Sequence, residues 1–136
     1  MINLITLSSP SGAGKSTLSH KLTEQYNAVR YSFDEIKCLR HSELIELITT
    51  SLKNGESVVA DSLYSEVKLR KELLEAVKDI ECNKICIYIT TSLEECLRRN
   101  AKREGKARLP DWVIEHIYET FEPPTLDEGW DEILYY

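Results

Sequence analysis

Ser8-Ser9-Pro10-Ser11-Gly12-Ala13-Gly14-Lys15-Ser16-Thr17 is the stretch whose reading decides the fold. An apolar run from Ile2 to Leu7 precedes it and reads as a buried strand. Leu18, Leu22 and Tyr26 follow at four-residue spacing and read as one helix face. Strand, Gly-rich turn, Lys-Ser/Thr and helix is the context of a phosphate-binding P-loop. The new helix leaves unpaired N–H groups at its start, and its dipole favours anions there. Gly12 and Gly14 let the backbone curl around phosphate oxygens with no Cβ in the way.

In G-x-x-x-x-G-K-[ST] the first glycine falls at position 9, where this chain has Ser9. That position opens the turn, whereas the later glycines approach the phosphates most closely, so the loop geometry is expected to survive. The pattern predicts ATP or another nucleoside triphosphate as ligand. Ser11, Gly12, Ala13, Gly14, Lys15, Ser16 and Thr17 are the expected contacts. Lys15 reaches for the β- and γ-phosphates, and the Ser16 hydroxyl is the expected Mg²⁺ ligand.

Working outward, the other segments alternate between strand and helix patterns. Ala28 to Phe33, Ser57 to Asp61, Lys84 to Thr90 and Asp131 to Tyr136 read as strands. Helices are expected from Lys15 to about Tyr26, from a cap at Ser42 to Asn54-Gly55, and from Glu66 to about Asp79. Another opens with a capping box, Ser92-Leu93-Glu94-Glu95, and runs into a basic segment. Pro110 is suited to the first turn of a last helix carrying Val113, Ile114, Ile117, Tyr118 and Phe121. Such alternation predicts an α/β fold with a five-stranded, mostly parallel sheet and helices on both faces. Functional groups then gather at the carboxyl ends of the strands.

Three features fall at such ends. Asp34-Glu35-Ile36-Lys37 follows the second strand, where a carboxylate can take a proton from an acceptor hydroxyl and a cation can hold the acceptor. The alternative is that Asp34 only caps a helix. Asp61 ends the third strand, as an acceptor-side group, a partner of Mg²⁺ waters, or a plain turn residue. Arg98, Arg99, Lys102, Arg103, Lys106 and Arg108 crowd around Glu104, the one acid between Arg98 and Arg108. Leading into Gly105 and Pro110, this cluster suits a hinged lid that brings cations to a transferring phosphate; the alternative is a solvated helix face.

A chain of 136 residues fits one domain, here 1–136 with a lid at about 98–110. The net charge of −6 argues against a surface that coats nucleic acid broadly. No apolar run approaches a membrane span and no basic region precedes the first apolar stretch. Cys38, Cys82, Cys86 and Cys96 form no C-x-x-C pair. A cytoplasmic protein with reduced thiols and no membrane partner is therefore expected.

With these residues in hand, the chain resembles the small P-loop kinases, and especially the kinase domain of phage-type 5′-hydroxyl polynucleotide kinases. The resemblance spans nearly the whole chain and covers Pro10 to Thr17, Asp34-Glu35 with Lys37, Asp61, and Arg98 to Arg103 with Pro110. It implies an ATP-dependent, Mg²⁺-requiring phosphotransferase acting on the 5′-OH of RNA or DNA. Asp34 would be the base, Lys37 and Asp61 acceptor-side groups, Arg99 a donor contact, and Arg103, with Lys15, a catalytic cation. The chain departs from that family at Ser9, at Lys37 in place of arginine, and at Ser62-Leu63 in place of Thr-Asn. A small-molecule or tRNA-linked kinase on the same core is the alternative reading, and a non-catalytic nucleotide-binding module is a third.

Overall fold

The computed structural model describes residues 1–10, 15–33, 40–62, 64–105 and 108–136. Strand β1 (Asn3–Ser8) is followed by α1 (Lys15–Gln25), β2 (Val29–Ser32), α2 (His41–Lys53), β3 (Val58–Asp61) and α3 (Val67–Val77). Strand β4 (Asn83–Tyr88) leads into α4 (Leu93–Ala101) and α5 (Asp111–Thr120), then a 3-10 turn at Leu126–Glu128, and β5 (Glu132–Tyr135).

The sheet order is β2-β3-β1-β4-β5, and all four pairings are parallel. β1 is central and covered on both sides, which is why it reads as a continuous apolar run rather than an alternating one. On one face Ile5, Leu7, Val59, Ile85 and Ile87 pack with Leu18 and Leu22 of α1, Cys96 of α4 and Ile114 of α5. On the other, Leu4, Val58 and Ala60 pack with Leu44, Ile48 and Leu52 of α2 and with Leu73 and Val77 of α3. Burying each such aliphatic side chain contributes roughly 1.5–3 kcal/mol. The two clusters thus clamp the sheet from opposite sides.

Local expectations hold in part. Ser42 does not cap α2: the helix begins at His41, and Arg40 stands at the cap with no side-chain bond. Ser92 does cap α4, its Oγ accepting from the Glu95 N–H at 3.2 Å. The reciprocal half of that box is displaced, because the Glu95 carboxylate accepts from Arg98 and Arg99 instead. Helix α4 ends at Ala101, so Lys102, Arg103 and Arg108 lie beyond it. A full capping box appears where none was expected, between Thr125 and Glu128. No described helix is long and apolar enough to cross a membrane.

Candidate nucleotide site

Two strand ends and the start of one helix build the site. Arg30, Val59 and Ile5 lie side by side on the face of the sheet that meets α1. Two residues further along β2 and β3, Ser32 pairs with Asp61. Side chains two apart on a strand share a face, so Arg30 and Asp61 both face α1. Lys15 and Ser19 stand four apart on that helix and share its face as well.

These four side chains meet. The Asp61 carboxylate is fully buried, while Lys15 and Arg30 retain 15% and 10% exposure, which leaves the cations within reach of an incoming anion. Lys15 Nζ is ion-paired with Asp61 Oδ1. Arg30 Nη2 donates to Oδ2 at 2.6 Å, and the Ser19 hydroxyl donates to the same oxygen at 2.7 Å. Arg30 Nε in turn donates to Ser19 Oγ at 2.7 Å. Burial alone would raise the Asp61 pKa, but Lys15, Ser19 and Arg30 outweigh it and hold the carboxyl below its ordinary value of 3.8. Asp61 is therefore a carboxylate at neutral pH, and the cluster joins two cations to one anion.

A second buried cluster supports the end of β1 from the opposite face of the sheet. Arg70 of α3 has no exposed surface. It grips Glu128 with both arms, Nε to Oε1 at 2.8 Å and Nη2 to Oε2 at 3.1 Å. Its Nη1 donates to Ser8 Oγ at 3.2 Å and to the Tyr64 carbonyl at 2.7 Å. The Ser8 hydroxyl donates to that same carbonyl at 2.8 Å. Ser8 is the last residue of β1, so Arg70 fixes the point from which the glycine-rich turn departs. Tyr64 occupies the left-handed region, φ 44°, a conformation costing roughly 1–2 kcal/mol for a residue with a Cβ. Both its ends are tied: the carbonyl as described, and the hydroxyl to His41 Nε2 at 2.9 Å.

Arg98, Arg99 and Arg103 stand apart from both clusters. Arg98 and Arg99 bond the Glu95 carboxylate and no group of the Asp61 cluster. Arg103 is exposed just beyond the end of α4. The basic segment is held at its two ends by one fully buried side chain. Asn100 Nδ2 donates to the Leu109 carbonyl at 2.6 Å, and its Oδ1 accepts the Leu109 N–H at 3.0 Å. Asn100 thus ties Leu109 to the end of α4 with a side chain that mimics a backbone pair.

Of the sequence-predicted residues, Lys15 and Asp61 come together, Thr17 is exposed on α1, Arg99 lies on α4 and Arg103 lies just beyond the end of that helix. Ser11, Gly12, Ala13, Gly14, Asp34 and Lys37 lie outside the described residues, as does the Ser16 side chain. Arg30, Ser19, Arg70 and Tyr64 were not anticipated. A signal existed for two of them: Arg30 is a charge inside an otherwise buried strand pattern, and Ser19 sits one helical turn after Lys15. The three described cysteines are buried and unpaired, and burial pushes the Cys86 thiol up to about 12, which makes it inert.

Residues 4–124 match the model of a protein family described as AAA domain. The chain belongs to that family. It is 29% identical over 145 residues to the L-seryl-tRNA(Sec) kinase of Methanococcus maripaludis, a match covering 94% of this chain and 56% of the relative. The chain thus spans about half the length of the curated relative it matches. Among solved structures, Kti12 of Chaetomium thermophilum in complex with ADP-AlF3 superposes with a TM-score of 0.82 at 14% identity, over 98% of this chain and 88% of that one. A sugar kinase from Janibacter sp. HTCC2649 gives a TM-score of 0.79 at 15% identity, over 99% and 86% of the two chains. At such identities these structures establish the fold alone, which is that of the P-loop kinases.

Proposed function

We propose that this chain is the catalytic domain of an ATP-dependent kinase that moves a γ-phosphate to a hydroxyl of a tRNA-linked or small acceptor. The observation that carries the reading is Lys15 at the start of α1, sharing the buried Asp61 carboxylate with Arg30. A lysine in that place, directly after a glycine-rich turn, is what a triphosphate requires. The 29% identity to a seryl-tRNA kinase, extending over nearly the whole chain, supports the tRNA-linked acceptor over a polynucleotide 5′ end. The 5′-OH reading retains the support of the basic segment between Arg98 and Arg108.

In this reading residues 11–14 and Lys15 hold the triphosphate, with Thr17 and Arg99 as further donor-side groups. Asp34 takes the proton of the acceptor hydroxyl, whose oxygen bonds the γ-phosphorus as the bond to the ADP oxygen breaks. Lys37 holds the acceptor, and Arg103 neutralises charge on the phosphoryl group in flight. Ser16 would be the protein ligand of Mg²⁺, and the buried, ionised Asp61 carboxylate beside Lys15 is suited to hold the waters of such an ion. When bound, the ion would draw charge from the β- and γ-oxygens.

The test is transfer of radioactive phosphate from ATP to a seryl-tRNA, a nucleoside 3′-monophosphate, a short 5′-OH oligomer and a set of small polyols. Label is expected on the tRNA-linked or a small acceptor, and Lys15→Ala should lower turnover by a factor on the order of 10² or more. Label on the oligomer alone would replace this acceptor with the 5′ end. Equal turnover by Lys15→Ala, or no label on any acceptor, would overturn the kinase reading.

A further inference from the structure

Lys15 cannot serve a triphosphate while it stays on Asp61. Its release needs another cation that keeps the carboxylate satisfied in a buried place. The two oxygens of Asp61 are used unequally: Lys15 takes Oδ1, whereas Arg30 and Ser19 both take Oδ2. The Arg30–Ser19–Asp61 triangle closes on itself, because the Ser19 hydroxyl accepts from Arg30 Nε and donates its own proton to Oδ2. Lys15 can therefore leave without undoing any bond of that triangle.

We propose that Arg30 is a positioning residue for nucleotide binding, holding the Asp61 carboxylate so that Lys15 is free to turn to the phosphates. This rests on the nucleotide-binding reading above and adds a residue to it. Without the arginine, Asp61 would be a buried carboxylate with Lys15 as its one cation in the cluster. Pulling that cation away would strand a buried charge, which is strongly unfavourable. With it, the same movement leaves an ion pair intact, and the cluster carries net positive charge before any anion arrives. The fork geometry matters: Nη2 and Nε serve Asp61 and Ser19 together, which a lysine cannot do from one nitrogen.

The experiment is calorimetric titration of ATP without added metal, so that a metal-binding role of Asp61 does not enter. It compares the unaltered chain, Arg30→Gln, Arg30→Lys, Lys15→Ala, Asp61→Asn, and Arg30→Gln combined with Asp61→Asn. Thermal melts establish that each variant is folded. Arg30→Gln should weaken ATP binding about ten- to hundredfold, the range for one lost charge-assisted hydrogen bond. Arg30→Lys should recover part of that loss. In the Asp61→Asn background Arg30→Gln should change ATP binding less than about twofold, because no carboxylate then competes for Lys15. A merely structural arginine would cost the same in both backgrounds, and that additivity would overturn the role, as would a silent Arg30→Gln. If instead the unaltered chain binds no ATP, the nucleotide reading itself falls and Arg30 with it. ATP binding lost in Lys15→Ala but untouched in Arg30→Gln removes Arg30 alone.

Discussion

Two arginine–carboxylate clusters on this chain use the same chemistry in opposite surroundings. Arg70 and Glu128 meet with side chains 0% and 10% exposed, whereas Glu95 is 29% exposed and its partners Arg98 and Arg99 are 55% and 40% exposed. In the first, each charge has lost its water and depends on the other. In the second, water and salt screen the pair and either partner can be lost at little cost. Hydrogen-bond lengths do not distinguish them, since Arg70 Nε and Arg98 Nε both lie 2.8 Å from their carboxylates. Burial distinguishes them, together with what else each arginine touches. Arg70 also reaches Ser8 at the end of β1 and the Tyr64 carbonyl, whereas Arg98, among the described residues, bonds a neighbour one turn back on its own helix.

The largest effect should come from breaking the buried pair. Glu128→Ala leaves a fully buried guanidinium uncompensated and should cost about 3–5 kcal/mol, read as a lowered denaturation midpoint. Because Arg70 also grips the end of β1, ATP binding should weaken in the fraction that stays folded. A loss under about 1 kcal/mol would mean that Arg70 finds other partners. The pH dependence has a definite sign. Burial would raise the Glu128 pKa, but Arg70 and Trp130 together hold it below its ordinary value of 4.5. A depressed carboxylate stabilises the fold above its unfolded pKa and loses that contribution as pH falls through the lower folded value. Stability should therefore be level from neutrality down to about pH 5 and fall in more acid solution. Glu128→Gln should flatten part of that fall.

The loop between α4 and α5 offers an intermediate case, in which a buried group is neutral. Asn100→Ala would leave the Leu109 N–H and carbonyl without their partners, at about 1–3 kcal/mol. Trypsin should then cut faster after Lys102, Arg103 or Arg108, since the Asn100 tie is gone. Unchanged cutting would show that packing of Leu109, not Asn100, holds the loop ends together.

How much of this the sequence disclosed follows the same division. Local periodicity and turn chemistry placed the five strands and the start of α1, because those signals lie within a few residues of one another, and their alternation with helices implied a parallel sheet without giving its strand order. Asp61 was legible as an acid at a strand end, and Lys15 by its motif. The contacts of Arg30 and Arg70 were not, because their partners lie 31 and 58 residues away. Only the register of β2 on β3 and the passage of the chain from α5 to the far face of the sheet bring them together. Ser42 was misread because a serine before an apolar run is the ordinary cap signal, yet His41, tied to Tyr64 and Glu72, already stands in the first turn. The capping box at Ser92 was half right for a related reason: Glu95 has closer cations on its own helix than the backbone N–H behind it.

The smallest effect is expected at the surface cluster, and it is the sharper test of the comparison. Arg98 foremost, then Arg99, pulls the Glu95 pKa down to about 2. Taken alone, that depression would suggest a strong contribution to stability. Exposure argues otherwise, because an ion pair in high dielectric gains little beyond what water already gives its members. Glu95→Gln should therefore leave the denaturation midpoint at neutral pH nearly unchanged, and any difference should vanish in high salt. Its consequence should appear in function. Arg98 and Arg99 would be released from the Glu95 carboxylate, and the local field would become more positive by one charge. If Arg99 serves the donor nucleotide, the variant should bind ATP as well as the parent or better, with the gain largest at low salt. Weaker ATP binding by Glu95→Gln would mean that Glu95 holds Arg99 in its working position. The exposed cluster would then be a built site like the buried one, and the division drawn between them would fail.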